Sequence, residues 1–395
     1  MSTYAILILM SILVIFSYLF DLFARRTKVP SVILLLLTGI GLHYGSVYLG
    51  IAIVDFSEIL PLLGNLGLIL IVLEGALELR FEQRKLKLIK KSFGAAFFIL
   101  VFTTLSIAFL FQYFSQADFH RCLMNAIPYS VISSAIAIPS VANLGKSKKE
   151  FIIYESSLSD ILGIVFFNFV EKNNTFDFNA FLTLTWDTFL VLIISLVFCL
   201  FLLYLLGRIQ HNVKFFLVIS ILILIFAIGK QIHLSSLVTI LAFGLFLNNT
   251  DLIEYPLFTN FFMYSKLKHD LHQLVQLTAE SAFIVRTFFF LMFGYIMDIN
   301  SLIDLDMLAI GGLILLITYL IRYLYIRLVA KISVMPELVI CPRGLISILL
   351  FSLIPESMRL SILGDGLLFF IILSTSILMT VGLVGYKPKP EVELR

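Results

Sequence analysis

Charge is scarce in this chain. Only 13% of its 395 residues are Asp, Glu, Lys or Arg, and 60% are hydrophobic. A soluble domain carries about 25% charge, so a water-soluble globular protein is excluded. Cysteine is nearly absent. Cys122, Cys199 and Cys341 are scattered, with no metal-ligand spacing and no even-numbered pattern that would make a disulfide framework. The chain has no phosphate loop, no nucleophile elbow, no HExxH and no basic nucleic-acid patch. No enzyme, cofactor, resident metal or nucleic-acid partner is therefore expected. A basic leader and a cleavage site are also missing. Met1-Ser2-Thr3-Tyr4 runs straight into an apolar stretch, which reads as a retained first helix.

What is present is hydrophobic length. The mean hydropathy is +1.06, and the apolar runs approach the ~20 residues that a helix needs to cross a bilayer. They lack the alternation of barrel strands. The expected fold is an all-α polytopic membrane protein with the lipid bilayer as its solvent. Thirteen spans are predicted, at 3–23, 29–48, 57–79, 92–114, 122–144, 152–171, 180–207, 214–230, 234–249, 277–298, 306–329, 337–355 and 365–386. Basic residues follow the odd-numbered spans: Arg25, Arg26 and Lys28 after the first, and Arg80, Arg84, Lys85, Lys87, Lys90 and Lys91 after the third. The same holds for Lys146, Lys148 and Lys149, for Arg208 and Lys214, for Lys266 and Lys268, for Arg327 and Lys331, and for Lys387, Lys389 and Arg395. The other loops hold only Arg121, Lys172, Lys230 and Arg359. The positive-inside rule then puts the N-terminus out and the C-terminus in.

Two spans are interrupted. Span 5 contains Pro128 and then Ser133-Ser134-Ala135-Ile136-Ala137-Ile138-Pro139, and span 12 contains Cys341-Pro342-Arg343-Gly344. If span 7 (180–207) is a linker, spans 1–6 and 8–13 become two inverted repeats, each interrupted at its fifth span. Paired broken helices at matching positions mark the substrate site of a secondary transporter. The bland alternative is two unrelated proline kinks. Between spans 9 and 10, Asn248 to His272 reads as a cytoplasmic linker with an interfacial helix. The nine residues after Tyr386 are too few to fold.

The charges inside the spans concentrate in Glu155-Ser156-Ser157-Leu158-Ser159-Asp160. A carboxylate at membrane depth costs roughly 3 kcal/mol on insertion scales. Such a group usually gains a bound ion, a proton or a partner charge. Glu155 and Ser159, and Ser156 and Asp160, are each four apart and so share helix faces. Asp160, about eight residues into span 6, reads either as a carboxyl that alternately holds a proton and a small cation, or as an acid paired permanently with an Arg. Glu155 reads as a structural partner for Arg322 or Arg286, though Arg322 can also snorkel to the surface. Arg343 is placed to cap carbonyls freed by the span 12 break. Ser133 and Ser134 offer hydroxyls to a small hard cation, or simply pack as serines do in membrane helices. Glu74, Glu78, Glu280 and Asp298 lie near span ends, within reach of water. The six histidines also lie at or near span ends, so none reads as a ligand.

With these residues in view, the chain resembles the monovalent cation–proton antiporter superfamily, the sodium/proton exchangers. The resemblance covers essentially the whole length. Thr27-Lys28-Val29-Pro30 with Gly39 and Gly41 is similar to the family's second helix, and Gly67 to Leu79 to its third. Glu155-Ser156-Ser157-Leu158-Ser159-Asp160 resembles the Glu-Ser-x-x-Asn-Asp of the electroneutral branch. Arg322 stands where the eleventh helix carries a base, and Pro342-Arg343-Gly344-Leu345 resembles the twelfth-helix break. The resemblance implies a homodimer and an elevator. Its scaffold would be 1–79 and 214–298, its moving core 92–171 and 306–386, and its linker helix 180–207. It implies that Asp160 carries the cation or proton, helped by Ser156 and the backbone near Ser133–Ala137. Taken with the reading above, Asp160, Ser156, Ser159, Ser133 and Ser134 are the candidate residues for cation and proton. Glu155, Arg322, Arg343, Pro139 and Arg286 would be structural. The chain departs from the family where Ala137-Ile138-Pro139 replaces Thr-Asp-Pro and Ser159 replaces Asn or Asp. Without a second Asp, one cation per proton is expected.

The expected function is thus exchange of Na⁺ or K⁺ for protons in a bacterial inner membrane. A gated cation channel and an ion-sensing subunit without turnover are the competing classes.

Overall fold

A computed structural model describes residues 3–27, 29–50, 59–80, 85–141, 144–173, 178–209, 214–231, 236–253, 266–297, 305–360 and 364–386. Every regular element among them is helical. In chain order α1 is Thr3–Thr27, α2 Ser31–Tyr48, α3 Ile59–Glu78, α4 Leu86–Ser115, α5 Phe119–Ser130, α6 Ser134–Ser140 and α7 Lys146–Lys172. Then come α8 Phe178–Arg208, α9 Lys214–Gln231, α10 Ser236–Asn248, α11 Leu267–Ile296, α12 Leu305–Leu324, α13 Leu345–Leu353 and α14 Asp365–Gly385. Among the described residues, nine candidate spans are long and apolar enough to cross a membrane. Two shorter apolar stretches, Met10–Ala24 and Leu237–Asn248, add to them. The chain is an integral, multi-pass, all-α membrane protein.

Spans 1–4 correspond to α1–α4, span 5 to α5 with α6, span 6 to α7, spans 7–11 to α8–α12, and spans 12 and 13 to α13 and α14. Three differences are instructive. The first half of span 12 is not helical: residues 331–344 form turn and extended backbone, and α13 begins only after Gly344. Pro336 and Pro342 explain this, since each lacks an amide donor and biases the residue before it away from helix. The helix of span 10 begins ten residues earlier than expected, at Leu267, so Lys268 and Asp270 belong to α11 rather than to a linker. Leu267, Leu271 and Leu274 repeat at helical spacing, and Asp270 in the first turn suits the helix dipole. Span 11 ends in a π-helical turn, Tyr325–Ala330. The remainder of the expected interfacial helix, 254–265, lies outside the described residues. So do Lys28, Arg84, His211, His233, Asp298, and Lys387, Lys389 and Arg395 of the tail.

The chain divides into two compact units. The first comprises Met1–Gly64, Leu88–Gly163 and Ile284–Arg395. Within it α1 packs on α2 and α6, α5 on α13, and α12 on α14. One close approach, between α2 and α11, is glycine-mediated. A Cβ on Gly39 would meet the Leu291 carbonyl oxygen, and one on Gly294 would meet that of Leu36. Small residues are how membrane helices bring their backbones together. The second unit comprises Asn65–Lys87 and Ile164–Phe283. There α8 packs chiefly on α10, joined by a Ser195–Thr239 hydroxyl bond of 3.1 Å. The side chains of Asn248 and Asn249 donate to the Leu79 carbonyl at 3.2 and 3.0 Å, so the end of α3 does not leave that acceptor bare. Lys214 pairs with Asp270 at 2.5 Å.

Overpacking a tight core typically costs about 1–3 kcal/mol. Gly294→Val, which drives a side chain into the α2 backbone, is expected to destabilise at the top of that range. Thermal unfolding of the detergent-solubilised protein reads this, and an unchanged melting temperature would contradict the close α2–α11 contact.

Candidate functional site

The site grows out of a break in one helix. Pro128 removes an amide donor and crowds the preceding turn, and α5 stops at Ser130. Val131 turns to extended backbone, with φ −74° and ψ 131°, and α6 restarts at Ser134. Three consecutive amides, those of Ile132, Ser133 and Ser134, thereby lose helical acceptors. Each finds one elsewhere. Ile132 N–H donates to Ser159 Oγ at 3.0 Å, Ser133 N–H to the Pro342 carbonyl at 2.9 Å, and Ser134 N–H to Asp160 Oδ2 at 3.1 Å. Two of the acceptors stand next to each other on α7, and the third comes from the second break.

The break in 341–344 is held from its own side. The Arg343 amide donates to Thr375 Oγ1 on α14 at 3.1 Å. Arg343 Nε donates to the Tyr129 carbonyl at 2.7 Å and Nη1 to the Cys341 carbonyl at 3.2 Å. The guanidinium therefore serves a carbonyl at the end of α5 and another in its own break. Gly344 touches the first break directly: a Cβ there would lie 2.6 Å from Ser133 Oγ and 2.8 Å from Ile136 Cδ1.

Asp160, only 5% exposed, lies where these elements meet. Its Oδ2 accepts from both the amide and the hydroxyl of Ser134, the latter at 2.5 Å. Its Oδ1 has no hydrogen-bond partner among the described residues, nor does Ser133 Oγ. Ser156 points its hydroxyl back along α7 to the carbonyls of Ile152 and Ile153, at 2.8 and 3.4 Å. Of the five residues read as ion-handling, Asp160, Ser159, Ser133 and Ser134 join the break, while the Ser156 proton is used within its own helix. Among the described residues no three His, Cys, Asp or Glu side chains cluster as metal ligands.

One turn from Asp160, Glu155 meets Arg322 in a two-pronged ion pair with N–O distances of 2.7 and 2.9 Å. Both side chains are sealed from solvent, Arg322 at 0% and Glu155 at 1% exposure. Arg322 therefore does not reach the surface. Its third donor, Nε, bonds the Glu337 carbonyl at 2.8 Å. The alternative partner, Arg286, instead reaches the Ala135 carbonyl of α6 at 3.5 Å. Pro139 lines a recess with Ser140, Ala135 and Ile136 of α6 and with Asp21 and Ala24 of α1.

Some residues of this region gave no signal in the sequence. Asn125 is fully buried. It donates to the carbonyls of Arg121 and Met358, each at 2.8 Å, and accepts from the Leu360 amide at 3.4 Å. Glu337 is buried in the 331–344 segment, where its carboxylate meets Lys148 and its carbonyl meets Arg322. Lone polar residues beside apolar runs look alike until the chain is folded. Only the Pro-rich setting of Glu337 hinted that its backbone needs partners.

Residues 10–386 match the family model described as sodium/hydrogen exchanger, transmembrane. No curated protein matches the chain. Among solved structures, the chain is similar to that of the sodium proton antiporter MjNhaP1 from Methanocaldococcus jannaschii at pH 8. The TM-score is 0.71 at 18% identity, covering 97% of this chain and 99% of the other. An electron-microscopy structure of the same antiporter gives 0.70 at 19% identity, covering 98% and 100%.

Removing one partner of a buried ion pair leaves a lone charge, at a cost of about 3–5 kcal/mol, whereas apolar replacement of both is often neutral. Glu155→Ala should therefore lower thermal stability sharply, and Glu155→Leu with Arg322→Met should recover most of it. Equal losses in the two variants would mean that the pair is not the brace. Ser159→Ala strips the Ile132 amide of its acceptor and should cost about 1–3 kcal/mol in the same assay.

Proposed function

The chain belongs to the sodium/hydrogen exchanger family, and on that premise we propose that it exchanges a monovalent cation, Na⁺ or K⁺, for a proton at Asp160. The family is one of transporters rather than enzymes. The observation that carries the assignment to Asp160 is the unequal use of its two oxygens. Oδ2 already accepts two hydrogen bonds from Ser134, while Oδ1 accepts none among the described residues. A proton and a cation then compete for Oδ1, so each excludes the other. Ser133 Oγ, likewise without a partner, adds a hydroxyl oxygen of the kind a small hard cation prefers. Ser156 and Ser159 contribute lone pairs from the same helix.

Competition at one carboxyl makes the exchange one for one and electrically silent. The proposed movement is an elevator. The core, 92–171 and 306–386, slides against a scaffold of 1–79 and 214–298 with 180–207 as linker, in a homodimer within a bacterial inner membrane. The excess of Lys and Arg after odd-numbered spans supports an N-terminus outside and a C-terminus inside. The recess beside Pro139, with Asp21 on its wall, gives a cation a polar approach to α6.

Reconstitution in liposomes with a trapped pH dye tests the reading. A Na⁺ or K⁺ gradient should drive proton flux, and Asp160→Asn should reduce it to the level of empty liposomes. Flux that survives intact in Asp160→Asn would remove Asp160 from the mechanism. Flux that depends on an imposed voltage would favour a channel.

A further inference from the structure

Lys148, in the first turn of α7 and about two turns before Glu155, gives hydrogen bonds to the segment that leads to the second break. Lys148 Nζ contacts both carboxylate oxygens of Glu337, at 2.8 and 3.0 Å. It also contacts the Met335 carbonyl at 3.1 Å and the Ser333 hydroxyl. Ser333 Oγ lies 3.3 Å from each Glu337 oxygen. The Glu337 side chain is 4% exposed and that of Lys148 23%, so this is not a solvated surface pair. Beyond it the Tyr386 ring lies 5.6 Å from Nζ.

The same Glu337 offers its backbone carbonyl to Arg322 Nε, and Arg322 is locked to Glu155. Residues 333–337 are thus fastened to α7 at two levels, directly through Lys148 and through Arg322 to Glu155. Seven residues of helix separate those levels by about 10 Å. A strand of backbone held at two points keeps its orientation as well as its position. Five residues on, its Pro342 carbonyl accepts the Ser133 amide, one residue from the Ser134 donors to Asp160.

We infer that Lys148 and Glu337 are a positioning latch that sets the second break against the cation-holding oxygens around Asp160. The inference rests on the exchange reading for its consequence in transport, but the latch itself is a statement about backbone. Lys148 and Glu337 touch no transported ion. They act through Pro342 and Ser133.

Two measurements on the full-length protein test it together. One is the half-saturating Na⁺ concentration of proton flux in liposomes. The other is amide hydrogen exchange across residues 331–344 in detergent. Outer partners that orient first ligands typically carry ~10-fold in affinity. Glu337→Gln and Lys148→Met are accordingly expected to raise half-saturation by about that factor, with the maximal rate changed far less. Both should speed amide exchange in 331–344, and Lys148→Arg should keep both values near wild type. The latch is overturned if Glu337→Gln leaves half-saturation and amide exchange within twofold of wild type. It is equally overturned if the variants lose only maximal rate, in step with the amount of folded protein. If the wild type shows no cation-driven flux, the exchange reading fails, and the amide-exchange arm still decides whether the latch exists.

Discussion

A backbone amide in the membrane interior cannot turn to water, and that constraint organises the first unit of this protein. The break between α5 and α6 exposes three such amides in a row. Each is answered by a different kind of acceptor: a hydroxyl, a carbonyl and a carboxylate. An unsatisfied polar group at this depth costs several kcal/mol. The break therefore persists only while α7 and the 341–344 segment hold their registers. The candidate site and the stability of the fold rest on the same bonds: buried Asp160 supports the break through Oδ2, while its Oδ1 has no partner among the described residues.

Two buried arginines show how one side chain solves two different problems. Arg322 carries its charge against Glu155, and its remaining donor ties down Glu337. Arg343 donates to no carboxylate among the described residues. It spends its donors on the carbonyls of Tyr129 and Cys341, where broken helices expose the negative ends of peptide dipoles. One guanidinium meets a full opposite charge, and the other meets the partial charges of carbonyls. Neither arginine is interchangeable with lysine, whose ammonium lacks the planar fork that reaches two acceptors at once.

Much of this was legible in the sequence because its physics is local. Apolar length marks membrane helices, and Pro128, Pro139 and Pro342 mark where helices cannot continue. Glu155, Asp160 and Arg322 stand out because charge is costly in such surroundings. What was not legible depends on which loop meets which helix end. Nothing near Asn125 tells that it fastens Met358 and Leu360, and nothing near Lys148 distinguishes it from Lys146 or Lys149. The polar start of α11 was missed because a hydropathy window cannot see an amphipathic turn continuing into an apolar one. The first half of span 12 has the hydropathy of a helix, but Pro336 just before it and Pro342 within it work against one, and the interruption expected at 341–344 extends back to 331. Ser159 looked like a deficient replacement for a larger polar residue. In the fold it has a defined task, accepting the Ile132 amide.

Gly344 carries a consequence of a different sort. With a Cβ at that position, Ser133 Oγ would be only 2.6 Å away and Ile136 Cδ1 2.8 Å away. The residue therefore works as a spacer of minimum thickness between the two breaks. Side-chain size at 344 sets the separation, so graded substitution there would serve as a ruler, prising the breaks apart without adding or removing a charge.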